Sequence, residues 1–252
     1  MKKILSAVSL ATMMMVTPAL AQDNTFDANE TAAIEGIIKN YLLKNPEILL
    51  EVQSILMEQQ ESERMAEMEK AVAENWDQLA NDDYSAVLGN PDGAITVVEF
   101  FDYQCGFCRR SHPDVKKLVA ENDDIRLVLK QFPILDKPNE TPISLISAHM
   151  AQAALKQGKF EEFHNKVYEI EGPITQEKLQ MIVDGLGMDM DQFQIDLPSQ
   201  ETSNYLRANM DVARELGISS TPMFFINGKV VSGARGFEHL QGVVEEARAE
   251  LN

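Results

Sequence analysis

The two cysteines of this 252-residue sequence lie in one short motif, Cys105-Gly106-Phe107-Cys108. The motif directly follows the apolar stretch AITVVEFFDY, residues 94–103, which has the length and β-branched content of a buried strand. A helical pattern comes next, so Cys105 is expected in the first helical turn, where free N–H groups and the helix dipole favour a thiolate. Cys108 lies deeper in the helix and is expected to be shielded. One exposed, activated sulfur and one shielded sulfur is the arrangement that thiol–disulfide exchange requires.

Two other uses of the cysteine pair are open. A structural crosslink between such close neighbours removes little entropy from the unfolded chain, so stabilisation is a poor reason for it. A metal site is the stronger alternative, because Cys105, Cys108 and His112 have a spacing that suits Zn²⁺ or Cu(I). The sequence lacks the second paired motif that is usual for structural zinc, which favours redox chemistry and makes His112 a surface histidine. A fourth ligand would be one of the other histidines, His149, His164 or His239.

Charged residues on both sides of the motif bear on its chemistry. Arg109 and Arg110 directly follow it and are expected to stabilise the Cys105 thiolate further. Glu99 lies six residues before Cys105 inside the apolar stretch, where a carboxylate is costly to bury without a function. We predict that Glu99 relays protons when Cys108 becomes a thiolate. The alternative is a carboxylate at a strand edge that reaches solvent.

The order of the elements places the motif at the carboxyl end of a strand. Strand 94–103, the helix after it and strand 125–133 form a βαβ unit, in which binding sites lie at the carboxyl ends of the strands. Residues 139–216 have helical patterns separated by glycine and proline. A β-hairpin over 223–234 and a last helix over 236–251 complete the expected domain.

Two helices are predicted before this domain. Asp27 and Glu30 suit a capping box at the start of the first helix, which extends to Lys44. A second helix runs from Asn45 to about Leu79 and has a polar middle. Such narrow apolar faces cannot form a core alone, so we expect an oligomerisation segment. The alternative is a helical pair folded back on the main domain.

The first residues have the pattern of a signal peptide. Lys2 and Lys3 precede a short apolar stretch, residues 4–16, and the small-residue site Ala19-Leu20-Ala21 follows. The stretch is shorter than the roughly 20 residues of a membrane span, so we predict an exported, soluble protein, the alternative being an uncleaved anchor. The net charge of −18 argues against a nucleic-acid partner.

The sequence resembles the thioredoxin-fold Dsb family of bacterial periplasmic thiol–disulfide oxidoreductases. VVEFFDYQCGFC resembles the family's active-site strand and helix, including the acid ahead of the first cysteine. TPMFFING, which begins at Thr221-Pro222, resembles its cis-proline loop and hairpin; the base rate of about 5–6% cis bonds before proline does not predict a cis bond alone. The similarity covers Tyr84–Asn252 and fits best the copper-sensitivity suppressor protein C branch, whose N-terminal helical extension assembles protomers.

The resemblance implies an α/β protein with a thioredoxin fold, an inserted helical subdomain at about 139–216 and a preceding N-terminal helical oligomerisation segment. The signal peptide would be residues 1–21, the extension 22–80 and the catalytic domain 81–252. We expect no cofactor and no metal.

The resemblance also implies the roles of the site residues. Cys105 would be the attacking thiol, Cys108 the resolving thiol and Glu99 the buried acid. The substrate-binding residues would be Gly106, Phe107, Thr221 and Pro222, with Pro222 cis.

Departures from the strongly oxidising family members decide the functional hypothesis. Those members have Pro-His between the cysteines and Val before the cis proline, whereas this sequence has Gly-Phe and Thr, close to the isomerases. The first hypothesis is a periplasmic disulfide isomerase or reductase that acts on exported client proteins with cysteines. It would be kept reduced by a membrane-bound redox partner and form a homo-oligomer, with a trimer favoured. The second is a dithiol oxidase, and the third is a periplasmic copper- or zinc-binding module.

Overall fold

The computed structural model describes residues 26–251. The predicted signal peptide, residues 1–21, lies outside this part of the chain. The described residues divide into two compact units, one ending at Glu58 and one beginning at Gln59. None of the helices in residues 26–251 is long and apolar enough to cross a membrane.

The N-terminal unit contains helix α1, Ala28–Lys44, and the first part of helix α2, Glu47–Glu74. The predicted capping box is confirmed: the Asp27 carboxylate accepts the Glu30 N–H, and the Glu30 carboxylate accepts the Asp27 N–H, each at 2.9 Å. No residue of α1 is buried. Many large apolar side chains are therefore exposed in this unit. They include Ile37, Ile38, Tyr41, Leu43, Leu49, Leu50, Val52, Ile55, Leu56 and Met57.

The prediction of one helix up to Leu79 is wrong. Helix α2 ends at Glu74, and a separate helix, α3, covers Trp76–Ala80. Asn75 lies at the break, where its side-chain amide donates to the carbonyl oxygen four residues earlier at 2.8 Å and competes with helix continuation. Residues 59–80, which the sequence assigned to the extension, belong to the larger unit. Their side chains in its core include Met68, Val72 and Leu79.

A five-stranded sheet forms the centre of the larger unit. Its strands are β1 Ala86–Gly89, β2 Ile95–Phe101, β3 Ile125–Gln131, β4 Met223–Ile226 and β5 Lys229–Ser232. They lie in the order β1-β3-β2-β4-β5. Parallel β2 and β3, joined by helix α4, Gly106–Glu121, confirm the predicted βαβ unit, and β4 and β5 confirm the hairpin. Strand β1 was not predicted and pairs antiparallel with β3.

Five helices between β3 and β4 form the predicted insertion. They are α5 Ile143–Lys156, α6 Phe160–Tyr168, α7 Gln176–Gly185, α8 Met190–Asp196 and α9 Gln200–Glu215. The last helix, α10, covers Phe237–Glu250 and packs on α4. The predicted α/β class is confirmed.

Strand β2 separates two sides of the core. Because side chains alternate along a strand, Val97 and Phe101 belong to one apolar cluster, and Val98 and Phe100 belong to the other. Glu99 therefore faces the first cluster, which also contains both cysteines. The fold thus directs one carboxyl group toward the cysteine motif from the middle of the sheet.

Candidate active site

The first sulfur is positioned at the start of α4. Cys105 is the N-cap of this helix, one residue before the first turn in which the sequence placed it. Its Sγ accepts the backbone N–H of Cys108 at 3.4 Å, as N-cap side chains do. The Thr221 carbonyl oxygen lies 3.2 Å from Cys105 Sγ and accepts the thiol proton only while Cys105 is protonated. The sulfur therefore lies between α4 and the loop before β4, and no disulfide joins the two cysteines. Cys105 is only 6% exposed, so the prediction of an exposed first sulfur is wrong.

The Cys105 thiol is unusually acidic. Its pKa is lowered from 9.0 to about 5, chiefly by the hydrogen bond from the Cys108 side chain. The Thr221 side chain and the backbone N–H groups of Cys108 and Phe107 lower it further, while burial opposes them. Cys105 is therefore a thiolate at neutral pH, and the thiolate is the nucleophilic form of cysteine.

Cys108 has the opposite environment. Its side chain is fully buried. Burial raises the pKa of the Cys108 thiol far above its usual value, and the hydrogen bond to Cys105 and the charge of Glu99 raise it further. Cys108 is thus a protonated thiol at neutral pH. It must pass its proton to a neighbouring base before it can attack a disulfide.

Glu99 is the buried carboxyl group next to this pair. The residue is only 5% exposed, and β2 is flanked by β3 and β4, so the alternative of a solvent-exposed carboxylate at a strand edge is wrong. Burial, and then the charge of Cys105, raises the pKa of Glu99 to about 8. A carboxyl group with such a pKa can both accept and release a proton near neutral pH, as a general acid–base must.

The other predicted site residues surround Cys105. The Thr221-Pro222 peptide bond is cis, and the Thr221 carbonyl oxygen faces the Cys105 sulfur. Gly106 and Phe107 form the first turn of α4, and the Phe107 side chain is 57% exposed. The structure therefore brings all of these residues close to Cys105. Their roles in substrate binding stay predictions.

Two family models match this arrangement in separate regions of the chain. The model described as thioredoxin matches residues 81–246. The chain belongs to the thioredoxin family. A second model, described as the copper resistance protein ScsC N-terminal domain, matches residues 30–63. The predicted resemblance to thioredoxin-fold Dsb proteins and the copper-sensitivity suppressor branch is confirmed.

Solved thioredoxin-like structures resemble much of this chain. A thioredoxin-like oxidoreductase from Silicibacter pomeroyi DSS-3 is 37% identical, with a TM-score of 0.64 over 69% of this chain and 97% of that one. A linker-deletion mutant of Proteus mirabilis ScsC shows the same fold, with 23% identity and a TM-score of 0.67 over 90% of this chain and 99% of that one.

The curated relatives are longer proteins. One is the Na(+)/H(+) antiporter NhaA 3 of Salinispora tropica, which is 29% identical over 167 residues, or 66% of this chain and 25% of that protein. The chain spans about a quarter of the length of the curated relatives it matches.

The two arginines of α4, Arg109 and Arg110, contact groups other than the Cys105 thiolate. Arg109 Nη1 donates to the Ile170 carbonyl oxygen at 2.6 Å. The Arg110 guanidinium lies over the Phe107 ring, 4.2 Å from its centroid. Both side chains therefore hold surrounding structure, whereas the sequence predicted that they stabilise the Cys105 thiolate.

His112 is half-buried, contrary to the prediction of a surface histidine. Its ring centroid lies 5.0 Å from that of His164 and 4.8 Å from that of Tyr168. In the part of the chain that the structure describes, no group of three or more His, Cys, Asp or Glu side chains is placed to hold a metal ion.

Asp102 is a site residue that sequence reasoning missed. It is buried directly after β2, and its Oδ1 accepts the Ser144 hydroxyl at 2.6 Å and the Gln104 N–H at 2.8 Å. Its Oδ2 accepts the backbone N–H groups of Ile134 and Leu135 at 2.8 and 3.0 Å. Asp102 therefore ties the loop before Cys105 to the loop after β3. An acid at the end of an apolar strand was the available sequence signal.

Proposed function

We propose that this protein is a periplasmic thiol–disulfide oxidoreductase that acts as a disulfide isomerase or reductase on exported proteins. The observation that carries the proposal is the contrast between its two sulfurs: the pKa of Cys105 is about 5, whereas Cys108 is a fully buried thiol. An acidic first thiol backed by a shielded second thiol suits disulfide exchange. Similarity to a thioredoxin-like oxidoreductase supports the same chemistry.

The reaction begins when the Cys105 thiolate attacks a client disulfide. A mixed disulfide forms, and the second client sulfur leaves as a thiolate. In isomerisation, another client thiolate attacks the mixed disulfide, forms a new client disulfide and releases Cys105. In reduction, Cys108 gives its proton to the ionised Glu99 and attacks Cys105 Sγ, which releases the client thiolate. The resulting Cys105–Cys108 disulfide needs two electrons, which a membrane-bound redox partner would supply.

We expect the Cys105–Cys108 couple to be less oxidising than the strong oxidants of the Dsb family. A lower thiolate pKa stabilises the reduced state, and the Cys105 pKa of about 5 lies between about 3.5 for DsbA and about 7 for thioredoxin. The reduction potential should therefore fall between roughly −270 and −120 mV. Equilibration with glutathione buffers measures it, and a potential near about −120 mV would contradict the prediction.

The functional test measures disulfide isomerisation. The reduced protein is mixed with a client enzyme whose disulfides are scrambled, in a mild redox buffer, and recovery of client activity is followed. Catalysed recovery is the expected result. A protein that only oxidises a reduced peptide would be a dithiol oxidase. One that does neither and retains stoichiometric Cu(I) through desalting would be the metal-binding module.

We also propose that the exposed apolar side chains of the N-terminal unit join protomers, with a trimer favoured. α1 buries none of its residues, and a helix with apolar faces needs a partner to become stable in water. The match of residues 30–63 to the ScsC N-terminal domain supports this proposal. Joining protomers would place several Cys105 sulfurs around one client.

Introducing charge into this surface should separate the protomers. Ile37 and Leu50 are 69% and 68% exposed in the single chain. Burial of each side chain is worth roughly 1.5–3 kcal/mol, so the double substitution Ile37→Glu and Leu50→Glu should weaken association on the order of 10³-fold. Sedimentation equilibrium measures the change. Ile195→Glu, at a site of 67% exposure in α8, is the matched control, and an unchanged mass in the double variant would refute the interface.

A further inference from the structure

Four polar rings beside the cysteine pair are not used by the reaction described above. Tyr103, His112, His164 and Tyr168 form this group, which we call the Tyr–His cluster. A hydrogen bond of 3.1 Å joins Tyr103 Oη and His164 Nδ1. The Tyr168 ring centroid lies 5.4 Å from that of Tyr103 and 4.9 Å from that of His164. With the His112 contacts given above, the four rings form one connected group.

The polarity of the cluster is costly in an apolar core. His164 is 3% exposed, and burial lowers its pKa well below 6.5, so its ring is neutral at physiological pH. Among residues 26–251, the buried Tyr168 Oη and His112 Nε2 have no hydrogen-bond partner. An unpaired buried polar group costs about 1–3 kcal/mol, and such groups in native proteins call for an explanation beyond packing.

The inner end of the cluster is on the side of the sheet that Glu99 faces. Phe101, on the same side of β2, contacts Tyr103 and His164 edge-on, with centroid distances of 5.1 and 5.0 Å. The charge of Glu99 also contributes to the raised pKa values of Cys108 and of both tyrosines in the cluster, after the larger effect of burial. The cluster therefore begins in the electrostatic neighbourhood of the buried acid.

The outer end of the cluster opens into a cavity of about 330 Å³. His112 and His164 line this cavity together with Lys116, Glu161 and Asn165. Lys116 and Glu161 are exposed, so the cavity reaches the protein surface. The charged groups that act on His112 are Lys116 and Glu169, and Lys116 also acts on His164. The cluster thus lies between the side of the sheet that Glu99 faces and a cavity that reaches solvent.

We propose that the Tyr–His cluster is the proton route between Glu99 and solvent, a role that rests on the proposed thiol–disulfide exchange. After Glu99 takes the proton of Cys108, it must release that proton before it can act again. A tyrosine hydroxyl and a neutral imidazole each accept a proton on one lone pair while donating another, so neither Tyr103 nor His164 has to stay charged. His164 and His112 both line the cavity, so His164 gives the proton to solvent there and His112 is the neighbouring imidazole that accepts it from that solvent. The net transfer is one proton from the Cys108 thiol to solvent.

The test uses the mixed disulfide between Cys105 and glutathione. Stopped flow measures the rate at which Cys108 resolves this disulfide, across a range of pH. We expect Tyr103→Phe and His112→Ala to slow its resolution about 10-fold, a part of the about 10²–10⁴ that acid–base transfer contributes. The effect should be largest below pH 8, where Glu99 is mostly protonated and must first lose its proton, and should fade above it. Added imidazole should restore the rate of His112→Ala. Attack by Cys105 on oxidised glutathione should be unchanged.

Matched controls separate the route from general packing. Tyr84→Phe removes a tyrosine hydroxyl outside the cluster, and His149→Gln changes a half-buried ring that bonds to the Leu197 carbonyl oxygen. Both variants should resolve the mixed disulfide at the wild-type rate.

The possible outcomes distinguish the two proposals. Wild-type protein that never forms the mixed disulfide would refute the proposed function. If Tyr103→Phe and His112→Ala resolve the mixed disulfide at the wild-type rate and with the wild-type pH profile, the proton route is refuted and the proposed function is not. If His112→Ala unfolds, His112→Gln keeps the side-chain volume and gives the same readout.

Discussion

The Cys105→Ser variant should lose thiol–disulfide exchange down to the uncatalysed background. With a pKa of about 5, Cys105 is almost entirely thiolate at neutral pH, whereas a serine hydroxyl stays protonated. Removal of a catalytic nucleophile in another enzyme lowers kcat on the order of 10⁶-fold. Reduction of a disulfide-bonded peptide, followed by fluorescence, measures the loss.

The Cys108→Ser variant is the matched control because it removes the other sulfur of the pair. It should still attack, since Cys105 keeps its position as the N-cap of α4, where the backbone N–H groups of Phe107 and Cys108 still lower its pKa. The serine hydroxyl can still donate to the Cys105 sulfur, so attack should continue. Mixed disulfides should accumulate on gels without reducing agent, because no second thiol is present to resolve them. Residual exchange in Cys105→Ser, or equal mixed-disulfide accumulation in both variants, would contradict the assigned roles.

Local sequence patterns predicted the parts of the fold that depend on neighbouring residues. The near-continuous apolarity and β-branched content of 94–103 identified β2, and the cysteine motif marked the start of α4, because both signals lie within a few residues. Strand β1 was missed because its four residues form no pattern long enough to separate from the adjoining turn. Its pairing with β3 depends on residues about forty positions later.

In the candidate site, too, only the features that depend on neighbouring residues could be predicted from the sequence. The spacing of Glu99 from Cys105 indicated a buried acid because a strand and a sharp turn connect them directly. The function of Asp102 was not predictable, since its partners Ser144 and Leu135 come from distant segments. The hydrogen-bond partner of Arg109 was not predictable either. Helical spacing gives the direction in which the arginine side chain leaves the helix, but it does not show which carbonyl oxygen the guanidinium reaches. Such contacts require the tertiary structure.

Glu99→Gln should stabilise the fold while impairing the reaction. The pKa of Glu99 is about 8 in the folded protein, whereas a glutamate in the unfolded chain has its ordinary pKa of 4.5. Between pH 4.5 and pH 8 the folded state therefore binds more protons than the unfolded state. Wild-type stability therefore falls as pH rises from 4.5 through 8. The glutamine variant lacks this slope and should gain about 3 kcal/mol at neutral pH and nothing at acidic pH, since one pKa unit is about 1.4 kcal/mol.

The same substitution removes the proposed proton acceptor of Cys108. Resolution of the mixed disulfide should slow about 10²-fold at neutral pH, because Cys108 must lose its proton to attack. Urea unfolding at several pH values and stopped-flow resolution measure the two effects, with the exposed Glu246→Gln as control. A variant that slows resolution but shows the wild-type dependence of stability on pH would mean that Glu99 is already ionised at neutral pH. Opposite changes in stability and rate would show that the buried carboxyl group is kept for the reaction at the expense of the fold.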